Sequence, residues 1–197
     1  MNNPVTKAVQ PLGRFAAILC GYALLCLSIA ITMEIVGRKL FAFSFQGIDD
    51  IGGYVLAVVA VTGAGYGVIM QSHVRIDIFL TKMPSFMQRF LNMSATVGMS
   101  LFSCFVAWRA TRVLEESIEF GSRATNPLQT PLWQPQSLWL LGIYFFAAVS
   151  FLYAVHSVRL FISGSENLNR FYGPISINED VEEELQAIAS RKETAGS

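Results

Sequence analysis

Charged residues are scarce in this sequence, and they are unevenly distributed. They make up 14% of the 197 residues, whereas soluble domains carry about 25%. Four stretches contain no Asp, Glu, Lys or Arg: 15–33, 51–72, 90–108 and 124–158. Each is close to or above the roughly 20 residues that cross about 30 Å of hydrocarbon as a helix. The pattern argues against a soluble globular domain. The balance of 14 basic and 14 acidic residues argues against a nucleic-acid-binding protein.

Motifs for chemistry are also missing. Cys20, Cys26 and Cys104 lie inside apolar runs, and no CxxC or Cys/His cluster suggests a metal site. The sequence has no phosphate-binding loop and no Ser/His/Asp arrangement, and its loops and tails are too short for a catalytic domain. Ionisable residues inside membrane spans usually mark transport pathways, and the four runs contain almost none. We therefore predict no enzymatic activity and no cofactor, and a role as an anchor or scaffold.

The long apolar runs predict an all-α integral membrane protein with four transmembrane helices. Backbone groups in hydrocarbon must be satisfied within their own segment, which favours helices, and the runs do not alternate as barrel strands do. The first run has 19 residues and leads to Met33–Arg38 rather than to a cleavage site, so we interpret it as an uncleaved helix. The predicted spans lie at about 14–36, 49–72, 86–108 and 136–160. They form a membrane domain over 14–163, between a polar tail at 1–13 and an acidic tail at 164–197.

The basic residues are unevenly divided between the two sides that four spans create. Nine lie on the side of both tails and the middle loop, and five lie on the other side. The positive-inside rule then places both termini in the cytoplasm. Trp108, Trp133 and Trp139 all fall at the outer interface, where amphipathic rings prefer to lie.

Charged pairs flank the first loop. Glu34 and Arg38 are four residues apart, so they can pair across one helical turn. Asp49 and Asp50 open the second span, where acidic side chains suit the positive end of the helix dipole. These two aspartates have either a structural role at the helix start or a contact with a partner or an ion.

The second span carries small residues at helical spacing. Gly63 and Gly67 form a GxxxG pair, and further small-xxx-small pairs precede it at Gly53/Ala57 and Ala60/Ala64. Small residues at this spacing let helix backbones approach closely in lipid. The pattern predicts that this helix packs against another helix.

The middle loop alternates polar and apolar residues. His73, Arg75 and Asp77 would share one face of an extended segment. They form either an ion-pair cluster at the cytoplasmic rim or a functional site, because histidine titrates near neutral pH.

The third helix is expected to extend beyond the membrane. Pro84 marks the start of the third helix, and Arg112 lies three and four residues before Glu115 and Glu116, which permits intrahelical pairs. The third helix is therefore predicted to project out of the membrane. Its projecting end either offers a surface to a soluble partner or is simply a solvated helix end.

Residues 178–192 are predicted to form a short acidic amphipathic helix.

Two histidines suggest an alternative function. His73 ends the second span and His156 lies late in the fourth, so both approach the same face of the membrane. Histidine is a common axial ligand of haem iron. A haem-b-type membrane anchor of a redox enzyme is therefore the alternative prediction.

Several motifs together resemble one family, the small membrane subunit of TRAP transporters (tripartite ATP-independent periplasmic transporters, DctQ-like). The resemblance covers about 12–164. The matching elements are Arg38-Lys39-Leu40-Phe41 as an Arg-x-x-Phe motif, the acidic pair Asp49-Asp50, Gly63-Ala64-Gly65, the His-x-Arg-x-Asp motif of His73, Arg75 and Asp77, and Thr130-Pro131-Leu132 with Pro135.

The resemblance implies a function. Such subunits lie in the bacterial inner membrane and partner a large, DctM-like membrane subunit that holds the substrate and sodium sites. A periplasmic binding protein delivers the substrate, commonly an organic acid. The small subunit would act as a scaffold within the lipid bilayer, with no catalytic or substrate-binding residue of its own. The motif residues, among them Glu34, Arg38, Phe41, Thr130 and Pro131, would then be structural or partner contacts.

Overall fold

The computed structural model describes residues 3–41, 47–71, 83–125, 128–164 and 167–172. These residues form five helices and no β-strand beyond one isolated antiparallel bridge between Arg123 and Pro131. The helices are α1 (Pro4–Phe41), α2 (Ile48–Ile69), α3 (Ser85–Glu119), α4 (Trp133–Ile162) and α5 (Asn167–Tyr172).

The predicted fold class is confirmed, because α1 to α4 are each long and apolar enough to cross a membrane. The side on which the termini lie stays a prediction. The motif residues His73, Arg75 and Asp77 and the predicted helix at 178–192 lie outside the described residues.

The start of α1 differs from the expected polar tail at 1–13, because helix begins at Pro4. The side-chain Oδ1 of Asn3 accepts a hydrogen bond from the backbone N–H of Val5 at 3.1 Å, which satisfies a helix-end donor. Proline is well suited to the first helical position because its missing N–H would have no partner there. Thr6 adds a tertiary contact, with its hydroxyl 2.7 Å from that of Tyr153 in α4.

The four long helices form a row in the order α1, α2, α4, α3. Packing is extensive between α1 and α2, between α2 and α4, and between α4 and α3. Within the described part of the chain, α2 and α3 make no more than isolated contacts with each other. The helices therefore lie side by side, with α4 as the most buried member.

Glycines set the close approach of α2 and α4. A Cβ atom on Gly65 would lie 2.7 Å from the Phe145 ring and 3.3 Å from the Cα of Phe146. A Cβ on Gly142 would lie 2.5 Å from Val61 Cγ2. Each helix thus contributes a glycine against the other, as is usual where membrane helices pack closely.

The sequence prediction that α2 packs against another helix is confirmed, but its buried glycines are Gly52 and Gly65. Gly63 is exposed, and a Cβ there would meet nothing within 4 Å. The expectation that Gly63 and Gly67 contact another helix therefore stays a prediction.

The interface of α3 with α4 is also built from small residues. Ser100, Ser103, Ala107 and Ala110 of α3 are buried at spacings of three and four residues. They lie along one face of the helix, and Ala107 and Ala110 pack in a cluster with Ile143 of α4. Small side chains here let the two backbones approach each other.

Candidate functional site

Polar side chains collect at the two ends of the helix row. One end, where α1 and α3 finish and α2 and α4 begin, is named the Glu34 end. The opposite end, where α1 and α3 begin and α2 and α4 finish, is named the Tyr172 end. The sequence-predicted residues are divided between them, so the structure does not bring them together into one site.

An ion pair anchors the Glu34 end. Glu34 and Arg38 form the predicted pair across one turn of α1, so this prediction is confirmed. Only 4% of the Glu34 side chain is exposed, against 57% of Arg38. Charge-assisted hydrogen bonds of this kind offset the cost of burying a carboxylate. Phe41, at the end of the same helix, is exposed.

The acidic pair lies where the dipole of α2 favours it. Asp49 and Asp50 occupy the first turn of α2, and Gly47 precedes the helix with a left-handed φ of 96°. Gly47 offers no side-chain cap, so negative charge in the first turn stabilises the start of this helix. The position of the two aspartates in the first turn of α2 agrees with the predicted helix start. Their structural role and a contact with a partner or an ion both stay predictions.

The connection between α3 and α4 returns over the start of α2. The backbone N–H of Ala124 donates to the carbonyl of Thr130 at 2.9 Å, and that of Leu132 donates to Ser122 at 3.0 Å. Leu128 packs directly on Gly47, where a Cβ atom would collide with it. Sequence reasoning singled out Thr130 and Pro131 but missed Leu128. Gly47, which precedes the acidic pair, was the residue in the sequence that could have indicated a close contact at this position.

The carboxyl end of α3 is long and charged. At 35 residues α3 measures about 52 Å, well beyond about 30 Å of hydrocarbon. Arg112 Nη1 lies 2.9 Å from Glu115 Oε2, and both side chains are more than half exposed. The predicted intrahelical pair is therefore confirmed for Glu115.

The short helix α5 forms the Tyr172 end. Leu168 and Tyr172 are fully buried, and the Tyr172 hydroxyl lies 2.8 Å from Nδ1 of His156 in α4. Asn169 Nδ2 donates to the carbonyl of Ser85 at 3.3 Å, and Asn92 Nδ2 donates to Asn169 Oδ1 at 3.3 Å. These contacts join α5 to both α3 and α4.

A further hydrogen bond joins α5 to the residues that follow α2. Gln71 adopts a left-handed φ of 54°, and its Nε2 donates to the carbonyl of Phe171 at 2.7 Å. Gln71 is the last described residue before the segment that contains His73, Arg75 and Asp77. The helix α5 therefore fixes the point from which that segment departs. Sequence reasoning missed α5, although Leu168 and Tyr172 lie four residues apart.

His156 does not present a free metal-binding edge through Nδ1, since that atom faces the Tyr172 hydroxyl. Its presumed second ligand, His73, lies outside the described residues. Among the residues that the structure describes, no group of three or more His, Cys, Asp or Glu could hold a metal ion.

The arrangement is that of a membrane helix assembly with polar ends and without a reactive centre in the part described. The family model described as tripartite ATP-independent periplasmic transporters, DctQ component, matches residues 27–161. The chain belongs to this DctQ family. No curated protein and no solved structure is similar enough to the chain to match it.

Membership of the DctQ family makes this chain a component of a transporter, and the resemblance inferred from its motifs is confirmed. The family is one of transport proteins rather than enzymes, and it lends no support to the haem-anchor alternative. The match begins within α1 and ends within α4. It includes the Glu34–Arg38 pair but neither Thr6 nor α5.

Proposed function

We propose that this chain is the small inner-membrane subunit of a TRAP-type transporter, a scaffold for a large DctM-like subunit. The large subunit would carry out sodium-coupled uptake of an organic acid that a periplasmic binding protein delivers. The observation that carries this proposal is the DctQ match over 27–161, which includes most of the membrane helices.

The distribution of charge supports a scaffold over a transport pathway within this chain. Among the described residues, Glu34 is the one charged side chain that is buried, and it lies about two turns before the end of α1, paired with Arg38. Ion-coupled pathways need ionisable groups inside the membrane. Substrate and sodium sites are therefore assigned to the large subunit.

The orientation belongs to the same proposal. With both termini in the cytoplasm, the Glu34 end faces the periplasm and the charged end of α3 lies near the binding protein. Arg112 and Glu115 are exposed there. The Tyr172 end and the segment with His73, Arg75 and Asp77 then lie at the cytoplasmic side.

The proposal is tested by affinity purification of the tagged chain from native membranes in mild detergent, with mass spectrometry of what accompanies it. We expect a large, many-span membrane protein in equal amount. Recovery of a soluble flavin or iron–sulfur protein in its place would overturn the proposal.

The motif residues are tested in the same assay. We expect Arg75→Ala and Asp77→Ala to lower the yield of the complex or substrate uptake, without changing which substrate binds the soluble receptor. Arg191→Ala is the matched control, because it removes a charge outside the region of the family match. Unchanged complex yield and uptake in both motif variants would show that this cluster has no role in assembly.

A further inference from the structure

A cavity of about 170 Å³ lies where α2, α3, α4 and α5 meet. Its wall is mainly apolar and includes Val68 of α2, Met99 of α3 and Tyr172 of α5. For comparison, an apolar cavity of about 150 Å³ inside a packed protein holds one benzene molecule. The space therefore fits a compact group of about six to eight non-hydrogen atoms, and it is too small for a complete lipid.

The arrangement of the helices explains the cavity and its opening. Within the described residues, α2 and α3 both pack against α4 but make no more than isolated contacts with each other, so a space remains between them. Ala95 of α3 lines the cavity and is exposed. Because Ala95 lies within the charge-free run at 90–108, a ligand reaches the cavity from the hydrocarbon of the bilayer.

Ser150 of α4 has an unmet hydrogen-bonding requirement at this cavity. The residue lines the cavity and is 1% exposed, and its hydroxyl has no hydrogen-bond partner. The two tyrosine hydroxyls of the wall are already engaged, Tyr153 with Thr6 at 2.7 Å and Tyr172 with His156 at 2.8 Å. A buried polar group without a partner calls for a specific explanation. An occupant with a polar atom beside Ser150 supplies one.

The wall of the cavity favours an uncharged occupant. None of the described residues that line it is Asp, Glu, Lys, Arg or His, so a charged ligand would lose its hydration without gaining a counter-charge. The hydroxyl of Thr96, also in the wall, donates to the carbonyl of Met93 at 2.8 Å. It can still accept a hydrogen bond, whereas the hydroxyl of Ser150 can both donate and accept.

We propose that this cavity binds a small, uncharged amphiphile that dissolves in the membrane. The ligand has a compact apolar body, which fills the space beside Val68 and Met99, and one hydroxyl group, which forms a hydrogen bond with Ser150 Oγ. Small phenols and alcohols belong to this class. The inference is independent of the proposed function, because every residue of the site belongs to this chain.

The chemistry favours this class over lipid tails and over water. A lipid tail fills apolar space but carries no hydrogen-bonding group, so it would leave Ser150 without a partner. Water can satisfy Ser150, but each buried water needs two to four polar partners. A mainly apolar wall with Ser150 and Thr96 as its available hydroxyls does not provide these for the several waters that the volume would hold.

The first test compares two probes that differ in a single group. In 4-fluorophenol a hydroxyl replaces the methyl of 4-fluorotoluene, and both are uncharged at pH 7. Each is titrated into the full chain in lipid nanodiscs and followed by fluorine NMR, with empty nanodiscs to correct for partition into lipid. We expect one saturable site per chain that binds 4-fluorophenol at least about threefold more tightly, as for one hydrogen bond between membrane helices. No saturable site, or equal affinity for both probes, would overturn the proposal.

The second test assigns the hydrogen bond. We expect Ser150→Ala to lower the affinity for 4-fluorophenol about threefold and to leave that for 4-fluorotoluene unchanged. Ser157→Ala is the matched control, because its hydroxyl is also buried and unpartnered but Ser157 does not line the cavity. Both variants should melt like the parent chain, since neither loses a hydrogen bond within it. If Ser150→Ala keeps the full preference for 4-fluorophenol, Ser150 is not the partner and the proposal fails.

The third test places the site in the molecule. Ala95→Phe puts a ring at the opening of the cavity, so we expect both probes to bind at least about tenfold more weakly. Ala148→Phe is the control, because Ala148 is an exposed alanine of α4 that does not line the cavity, and it should leave both affinities unchanged. Binding that persists in Ala95→Phe would show that the probes occupy another site. The isolated chain is used throughout, so the outcome does not depend on whether a large subunit is recovered.

Discussion

At the scale of single residues, the ion pairs show how spacing and burial act separately. Glu34–Arg38 and Arg112–Glu115 both follow from helical spacing. Only Glu34 is buried, while both members of the α3 pair are more than half exposed. An exposed pair contributes about 0–1 kcal/mol, whereas a buried carboxylate depends strongly on its partners.

Removal of Arg38 should therefore be more damaging than removal of Arg112. We expect Arg38→Ala to reduce the free energy of unfolding by about 1–2 kcal/mol, less than for a fully buried pair because Arg38 is 57% exposed. Arg112→Ala should cost less than about 1 kcal/mol. Thermal unfolding of the purified chain in detergent measures both.

A second substitution tests whether the buried charge of Glu34 is the reason why loss of Arg38 is costly. Glu34→Gln removes the buried charge, so Arg38→Ala should cost less in that background than in the parent chain. Equal losses in the two backgrounds would show that the charge of Glu34 is not what Arg38 stabilises.

At the scale of elements, α5 is the least expected part of the fold. A six-residue helix is too short to be stable alone, so its contacts must hold it in place. Leu168 and Tyr172 bury its apolar side chains, and Asn169 bonds to α3. Through Phe171 it also holds Gln71, at the start of the segment that carries the His-x-Arg-x-Asp motif.

Loss of the Asn169 contacts should loosen α5 locally. We expect Asn169→Ala to speed hydrogen exchange of the amides in 167–172 by about tenfold, while the centres of α3 and α4 stay protected. Ser163→Ala is the control, since Ser163 lies outside α5 and its hydroxyl donates to the carbonyl of Leu160 in α4. Unchanged exchange in the Asn169 variant would show that the buried apolar residues alone hold α5.

At the scale of the whole molecule, the row of helices has two ends with different polar groups. Glu119 ends α3 at the Glu34 end, and Ser163 follows α4 at the Tyr172 end. Both residues are exposed. Their opposite positions make the predicted orientation in the membrane directly measurable.

Cysteine labelling should distinguish the two sides. Cys20, Cys26 and Cys104 are first replaced by alanine, and Glu119→Cys or Ser163→Cys is then introduced. We expect a membrane-impermeant maleimide to label Glu119→Cys in intact spheroplasts, and Ser163→Cys only after lysis. The reverse pattern would overturn the placement of both termini in the cytoplasm.

The sequence by itself determined the features that depend on local chemistry. Four helices long enough to cross a membrane follow from hydropathy summed along the chain, and the Glu34–Arg38 and Arg112–Glu115 pairs follow from residues on one helical turn. Acidic residues at the start of α2 follow from the dipole of that helix. The family followed from short motifs at fixed positions. The role of His73, Arg75 and Asp77 stays a prediction.

The tertiary structure alone decided which faces meet. The spacing of small residues along α2 allows several packing faces, and only the position of α4 buries Gly65 while it leaves Gly63 exposed. Three other features likewise depend on helices distant in sequence. They are the burial of Glu34, the position in which α5 packs, and the unpartnered hydroxyl of Ser150. Inside a membrane the hydrophobic pattern does not distinguish a lipid-facing side from a helix-facing one, because both are apolar. Shape and polar satisfaction make that choice, and they exist only once the helices are packed.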